Sequence, residues 1–420
     1  MRKRWISGML VTGLAISMCT GCGGSSKVDD LELKNVSDEK QDDGKVSLTV
    51  WGAEADQELL QEIVDSFKEE YKGQAEFDIT LGIQEESECK NGILSNINES
   101  PDVFSFADDQ LRALAAAGVL KPIENGDVIK GASLEGAVEA ASINDAMYAY
   151  PLTADNGYFL YYNKKYISEE QAGSLNSILE AAAASGKKMT MDWNSGWYLY
   201  SFFSNTGMEL GLNEDGISNY CTWNNKKGDI KGTDVAESML AIANSAGFVS
   251  ADDVALKEGA ANGTVIAGVS GVWIGEDMKA IWGKDYAATK LPTYTVAGKE
   301  VQMGSYTGYK LVGVNAYSDE KEWAAKLAEW IVSEKNQKLR FEKRGQGPAN
   351  SNAAASDEVS ANIAIKALIE QSEYGSLQRV GGKYWEPAAE FGVQMSTGNV
   401  GKESLQHVMN QLVKDITARE

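Results

Sequence analysis

Carboxylates and aromatic rings recur just past the ends of the segments that read as strands. Glu54, Asp56 and Gln57 follow the run VSLTVW (46–51). Phe106 closes PDVFSF (101–106), with Asp108, Asp109 and Gln110 following after Ala107. Asp155 and Asn156 come after MYAYPL (147–152), and Trp273 comes after TVIAGVS (264–270). Trp197 and Trp385 lie in loop-like stretches with glycine nearby. An ionised carboxylate accepts two neighbouring hydroxyl hydrogens at once, and such charge-assisted bonds are about twice as strong as neutral ones. A flat ring desolvates a C–H face at low entropy cost. Together these residue types suit a neutral, hydroxyl-rich ligand. A local reading stands beside this one. Asp56 and Asp109 precede or begin helices, where carboxylates are favoured by capping and by the helix dipole, and tryptophans are commonly core residues.

Other chemistries find less support. The chain of 420 residues has one histidine, His407, inside the helical pattern SLQHVMNQLV. A His-centred triad or multi-His metal site would need that residue or a partner chain. The four cysteines, Cys19, Cys22, Cys89 and Cys221, form neither a zinc knuckle nor a disulfide framework, and whether Cys89 and Cys221 meet is open. There is no P-loop and no GxGxxG after a strand. The net charge of −22 repels nucleic acid backbones. No catalytic residue, metal or cofactor is expected. Two alternatives stay on the table: a glycoside hydrolase, since 61 acidic residues supply many carboxylate pairs, and a binder of a cationic solute such as a polyamine, through cation–π contacts.

The elements that must position these residues alternate. The strand 46–51 is followed by a helix at 56–71, whose Leu59, Leu60, Ile63, Val64, Phe67 and Tyr71 share one face. A strand at 77–83, the strand 101–106 and a helix ending at Gly118 come next. A second series begins with GYFLYYN (157–163) and includes a helix over 174–186 and strands at 264–270 and 310–317, before a largely helical end. Such alternation predicts an α/β fold of mostly parallel sheets covered by helices. Ligands bind such sheets beyond the carboxyl ends of strands and in clefts between lobes.

The N-terminus reads as an export address. Arg2, Lys3 and Arg4 precede a short apolar run over 5–18, too short to span a bilayer. Thr20 and Gly21 then precede Cys22, which is similar to the bacterial lipoprotein pattern, with Cys22 as the lipidated residue after cleavage of residues 1–21. Residues 22–45 are polar and acidic, unable to bury enough surface to fold, and read as a tether with a reach of roughly 25 Å.

The sequence from about 46 to 418 resembles the maltose/maltodextrin-binding branch of the solute-binding proteins that serve ABC importers. The segments carrying the resemblance are Trp51 with Glu54, Asp56 and Gln57, PDVFSFADDQL, YPLTADNGYFLYYNKKYI, WNSGWYLY, GVSGVW, GQGPAN and KYWEPAAEFGVQMSTGNVGKESL. The resemblance implies ligand contacts at Glu54, Asp56, Gln57, Phe106, Asp109 and Asp155 (with Asn156 the alternative), and platforms at Trp197, Trp273 and Trp385. Two departures stand out: the family's Asp-Arg pair reads Asp109-Gln110, and Phe106 stands where the family often has Trp. The resemblance further implies a two-lobed periplasmic-binding-protein-like fold. Lobe one would comprise 46–151 with 309–349, and lobe two 152–308 with 350–420. A monomer would capture a maltodextrin or related α-gluco-oligosaccharide between the lobes and pass it to the transmembrane subunits of an ABC permease.

Overall fold

The structure, a computed structural model, describes residues 44–419. The expected export segment, Cys22 and all but the last two residues of the expected tether lie outside the described residues.

The first strand, β1 (Lys45–Gly52), alternates as its sequence does, burying Val46, Leu48 and Val50 on one face. Helix α1 (Gln57–Glu70) covers it with the stripe Leu59, Leu60, Ile63, Val64 and Phe67. The chain returns as β2 (Glu76–Ile83), parallel to β1 over its whole length. β3 (Val103–Ala107) pairs in parallel on the other side of β1. It leads into α2 (Leu111–Ala116), closed by Gly118 at φ +78°, a left-handed position suited to glycine.

β4 (Tyr150–Asn163) runs for 14 residues. The sequence suggests two strands here with a polar break at Thr153–Asn156, and the structure carries one strand straight through. Partners on both edges explain the difference. Its first half pairs antiparallel with β9 (Ser305–Val314), while Ala154 donates its N–H to Gly347 O at 2.8 Å. Its second half lies between β7 (Val265–Gly271) and β8 (Tyr286–Thr289), both antiparallel to it.

The second half of the molecule repeats the scheme. β5 (Lys188–Thr190) is parallel to both β6 (Phe248–Val249) and β7. β10 (Gly375–Leu377) joins the start of β9. The strand order is β6-β5-β7-β4-β9-β3-β1-β2, with β8 on β4 and β10 on β9. Each half is thus a parallel group of three strands, and the antiparallel β4 and β9 join them. Tyr150 and Leu152 of β4 pack with the core under β1 and β3, whereas Tyr158, Leu160 and Tyr162 pack with the core under β5 and β7. The fold is two-lobed.

A third crossing follows helix α3 (Glu334–Arg344), which ends at Gly345 (φ +66°). Gln337 of that helix is buried and organises the crossing. Its amide donates to Pro151 O and Val332 O, and its Oε1 accepts from the N–H groups of Ala349 and Asn350. Cys89 and Cys221 are separate thiols, and burial raises both to about 12.

Candidate ligand-binding cleft

The carboxyl ends of β3 and β7 face the crossing strands around a cleft of about 590 Å³. Its chemistry comes from Asp109 after β3, Asp155 and Asn156 in mid β4, Trp273 after β7, Lys310 on β9 and Arg344 at the end of α3. Asp155 is only 9% exposed, and its Oδ1 is buried without a hydrogen-bond partner. Buried polar atoms of this kind are costly unless a ligand or water meets them. Asp109 stands out into the cleft. Its side chain is solvent-exposed, so the rise of its carboxyl above the ordinary carboxylate range, caused first by desolvation from the surrounding wall and then by the Asp108 carboxylate against the opposing pull of Arg379 and Lys90, is screened by water. Asp108 itself is buried, accepting the Tyr309 N–H at 2.8 Å and an Arg379 Nη1 hydrogen at 2.7 Å.

Trp273 is 49% exposed. Its ring folds back over Gly271, where an added Cβ would lie 2.0 Å from a ring carbon. Lys310 Nζ sits 3.5 Å from Glu86 Oε1, beyond hydrogen-bonding geometry, so this cation and its partner keep bonding capacity for a ligand. The cleft therefore offers acceptors, donors and one open ring face.

Of the residues expected from sequence, the structure brings Asp109, Asp155 and Trp273 together, with Asn156 beside them. The others go elsewhere. Glu54 is exposed, outside the cleft wall, and its N–H donates to Glu85 Oε1. Asp56 is buried, held by Arg340 and by Arg344 Nε at 2.8 Å. It makes no side-chain cap to α1, so neither the sugar contact nor the capping reading describes its bonds. Burial alone would raise its carboxyl, but the Arg340 charge and the hydrogen bonds from both guanidiniums outweigh that and hold it below the usual range. The Gln57 amide donates to Gly52 O, Ala53 O and Gly82 O, tying the ends of β1 and β2. Phe106 is 0% exposed in the first-lobe core, so its ring has no free face. Trp197 and Trp385 are half-buried in an aromatic cluster around Tyr306, at 5.6 and 6.4 Å between ring centres, outside the cleft wall.

Gln110 has a structural role where the resembled family has arginine. Its amide donates to Glu86 O and Ser87 O, and its Oε1 accepts the Lys90 N–H, which pins the loop that delivers Glu86. Sequence reasoning missed Lys310, Arg344 and Glu86. A signal existed for Lys310, a single cation inside the apolar strand 305–314, and for Arg344, the last residue before the helix-ending Gly345. Among the described residues, no group of three or more His, Cys, Asp and Glu side chains is placed to hold a metal.

Two α/β lobes joined by crossing strands, with a polar and aromatic cleft at the junction, define a solute-capturing protein. The chain belongs to the bacterial extracellular solute-binding proteins, whose family model matches residues 62–367. It is 25% identical over 357 residues to the galactooligosaccharide-binding protein of Bacillus subtilis (strain 168), covering 81% of this chain and 82% of that one. It is 24% identical over 348 residues to the maltodextrin-binding protein MdxE of the same organism, covering 79% and 80%. Its fold is similar to that of a maltodextrin-binding protein from L. casei BL23 solved without ligand, at TM-score 0.77 and 21% identity over 89% of this chain and all of that one. Family membership places the working protein outside the cytoplasm. No described helix is long and apolar enough to cross a membrane.

Proposed function

We propose that the protein captures a neutral oligosaccharide for an ABC importer, with maltodextrin or a related α-gluco-oligosaccharide as the leading ligand and a galacto-oligosaccharide as its nearest rival. The observation that carries this is the pairing, in one cleft, of a half-exposed indole with the buried Asp155 carboxylate, whose Oδ1 has no hydrogen-bond partner. A sugar ring meets both needs, a C–H face for Trp273 and a hydroxyl hydrogen for Asp155. The names of the two Bacillus subtilis relatives point to the same ligand class. In this reading Asp109, Asp155 and Trp273 touch the ligand, while Asp56 and Phe106 build the wall behind them. The lobes divide as 46–151 with 309–349 and 152–308 with 350–420, although the 151/152 boundary falls inside β4, where Leu152 still packs with the first core, and the 308/309 boundary falls inside β9. Ligand contacts made across the cleft favour the closed arrangement, which docks on the permease. A lipid on Cys22 and the tether over 22–45 hold the monomer at the outer face of the cell membrane. The protein carries out no chemical step.

The test is calorimetric titration with maltotriose, a galacto-oligosaccharide and spermidine, with tryptophan fluorescence followed in the same samples. Heat and a spectral change with an oligosaccharide support the proposal. Binding of spermidine alone, or release of cleaved sugar from the oligosaccharides, overturns it.

A further inference from the structure

One acidic side chain acts on the cleft without lining it. Asp253 stands at the start of the helix Asp253–Asn262, and both of its carboxylate oxygens are engaged. Oδ1 accepts the Ser270 hydroxyl at 2.7 Å, and Oδ2 accepts the Trp273 indole N–H at 2.7 Å. Ser270 is fully buried on β7, so the sheet fixes its position. Capping of that helix falls to the preceding residue, Asp252, which accepts the Ala255 N–H, and this leaves Asp253 free to turn towards the sheet end. The benzo edge of the indole is placed by a different contact. It lies over Gly271, where any Cβ would collide with it at 2.0 Å. The Gly271 carbonyl is in turn held by the buried Tyr161 hydroxyl at 2.9 Å. Trp273 is thus gripped at its N–H and seated on bare backbone, with about half its surface left open to the cleft.

We infer that Asp253 is the positioning residue for Trp273. With Ser270 and the side-chain-free Gly271 it sets the indole in its ligand-facing orientation before any ligand arrives. An exposed tryptophan without such a grip samples several rotamers and must be ordered when the ligand binds. The inference deepens the proposal that the cleft takes a saccharide and rests on it for its binding arm.

The test follows the Trp273 share of the fluorescence, taken as the difference between each chain and its Trp273→Phe counterpart, with acrylamide quenching, alongside affinity for the tightest-binding oligosaccharide. Asp253→Ala is expected to change the emission and raise the quenching of that share and to weaken binding by about two- to tenfold, the cost of ordering one side chain. Asp253→Asn keeps an acceptor for the indole and restores both readouts. Gly271→Ala displaces the same ring from its other edge and weakens binding without touching Asp253. In a Trp273→Ala background, Asp253→Ala changes affinity by less than about twofold. An unchanged Trp273 share in Asp253→Ala, or an equal loss of affinity with and without Trp273, overturns the inference. If no oligosaccharide binds, the reading of the cleft fails while the spectral arm still decides the positioning.

Discussion

Asp56→Asn separates scaffold from ligand contact at the position where sequence and structure differ most. The substitution keeps the side-chain volume and removes the charge. Asp56 and Arg340 are 3% and 2% exposed at their side chains, so Arg340 would be left as a buried cation facing Gln346 Oε1 at 2.8 Å. Breaking a buried pair from one side costs about 3–5 kcal/mol. Arg344, at 35% exposed, is water-screened and adds at most about 1 kcal/mol. The retained Asn oxygen and Gln346 argue for the lower end, about 3 kcal/mol, which for a lobe of this size shifts Tm by about 6–12 °C. Calorimetric melts of the two chains measure this. The pH dependence has a definite sign. The Asp56 carboxyl is depressed in the folded state, because the two guanidiniums outweigh burial. Its contribution is therefore fully present above the unfolded value of about 3.9 and is lost as pH falls through the folded value. The gap between wild type and Asp56→Asn stays constant from about pH 5 to 8 and narrows below about pH 4. A Tm shift under about 2 °C together with a large loss of ligand affinity would refute the clamp and return Asp56 to the ligand.

Three further substitutions divide the cleft from its wall. Asp109→Asn is expected to lower oligosaccharide affinity about tenfold or more, the loss of one charge-assisted bond. Because the Asp109 carboxyl is raised in the folded state, its ionisation opposes folding above its unfolded value, so melts at pH 7 should show stability unchanged or higher. Titrations at falling pH should also show wild-type affinity declining at a higher pH than an ordinary aspartate would give. Asp155→Asn should cost affinity about tenfold while leaving Tm the same or higher, since Oδ1 has no protein partner to lose. Phe106→Ala should cost about 3–5 kcal/mol in denaturant melts, with affinity at low denaturant within about twofold of wild type.

Local elements were readable because their patterns are local. The alternation of β1 and the five-residue buried stripe of α1 need no distant partner to be recognised, and both formed within a residue or two of expectation. The centre of β4 is not legible locally because Thr153–Asn156 is polar, the composition of a turn, and what keeps it extended is pairing with β9 and Gly347, far away in the chain. Trp197 and Trp385 look loop-borne beside their glycines, yet each lies in the first turn of a helix and packs on Tyr306. Asp56 illustrates the same limit for the site. A carboxylate after a strand has identical local signals whether it meets a sugar or two arginines 284 and 288 residues later. Asp109 and Trp273 reached the cleft because strand ends converge there in this topology, which the alternation of strands and helices already implied, whereas Asp155 reaches it from the middle of β4, where that strand crosses between the lobes.

Whether one cleft, through Asp155 and Trp273, holds the oligosaccharide is decided by calorimetric titration of the wild-type chain and of the Asp155→Asn, Trp273→Ala double variant with the tightest-binding oligosaccharide, checked by equal melting behaviour of the two chains. A well-defined isotherm is expected for wild type, with a loss of roughly a hundredfold or more in the double variant. A double variant that is folded and binds as tightly as wild type would contradict it and move the ligand to another surface.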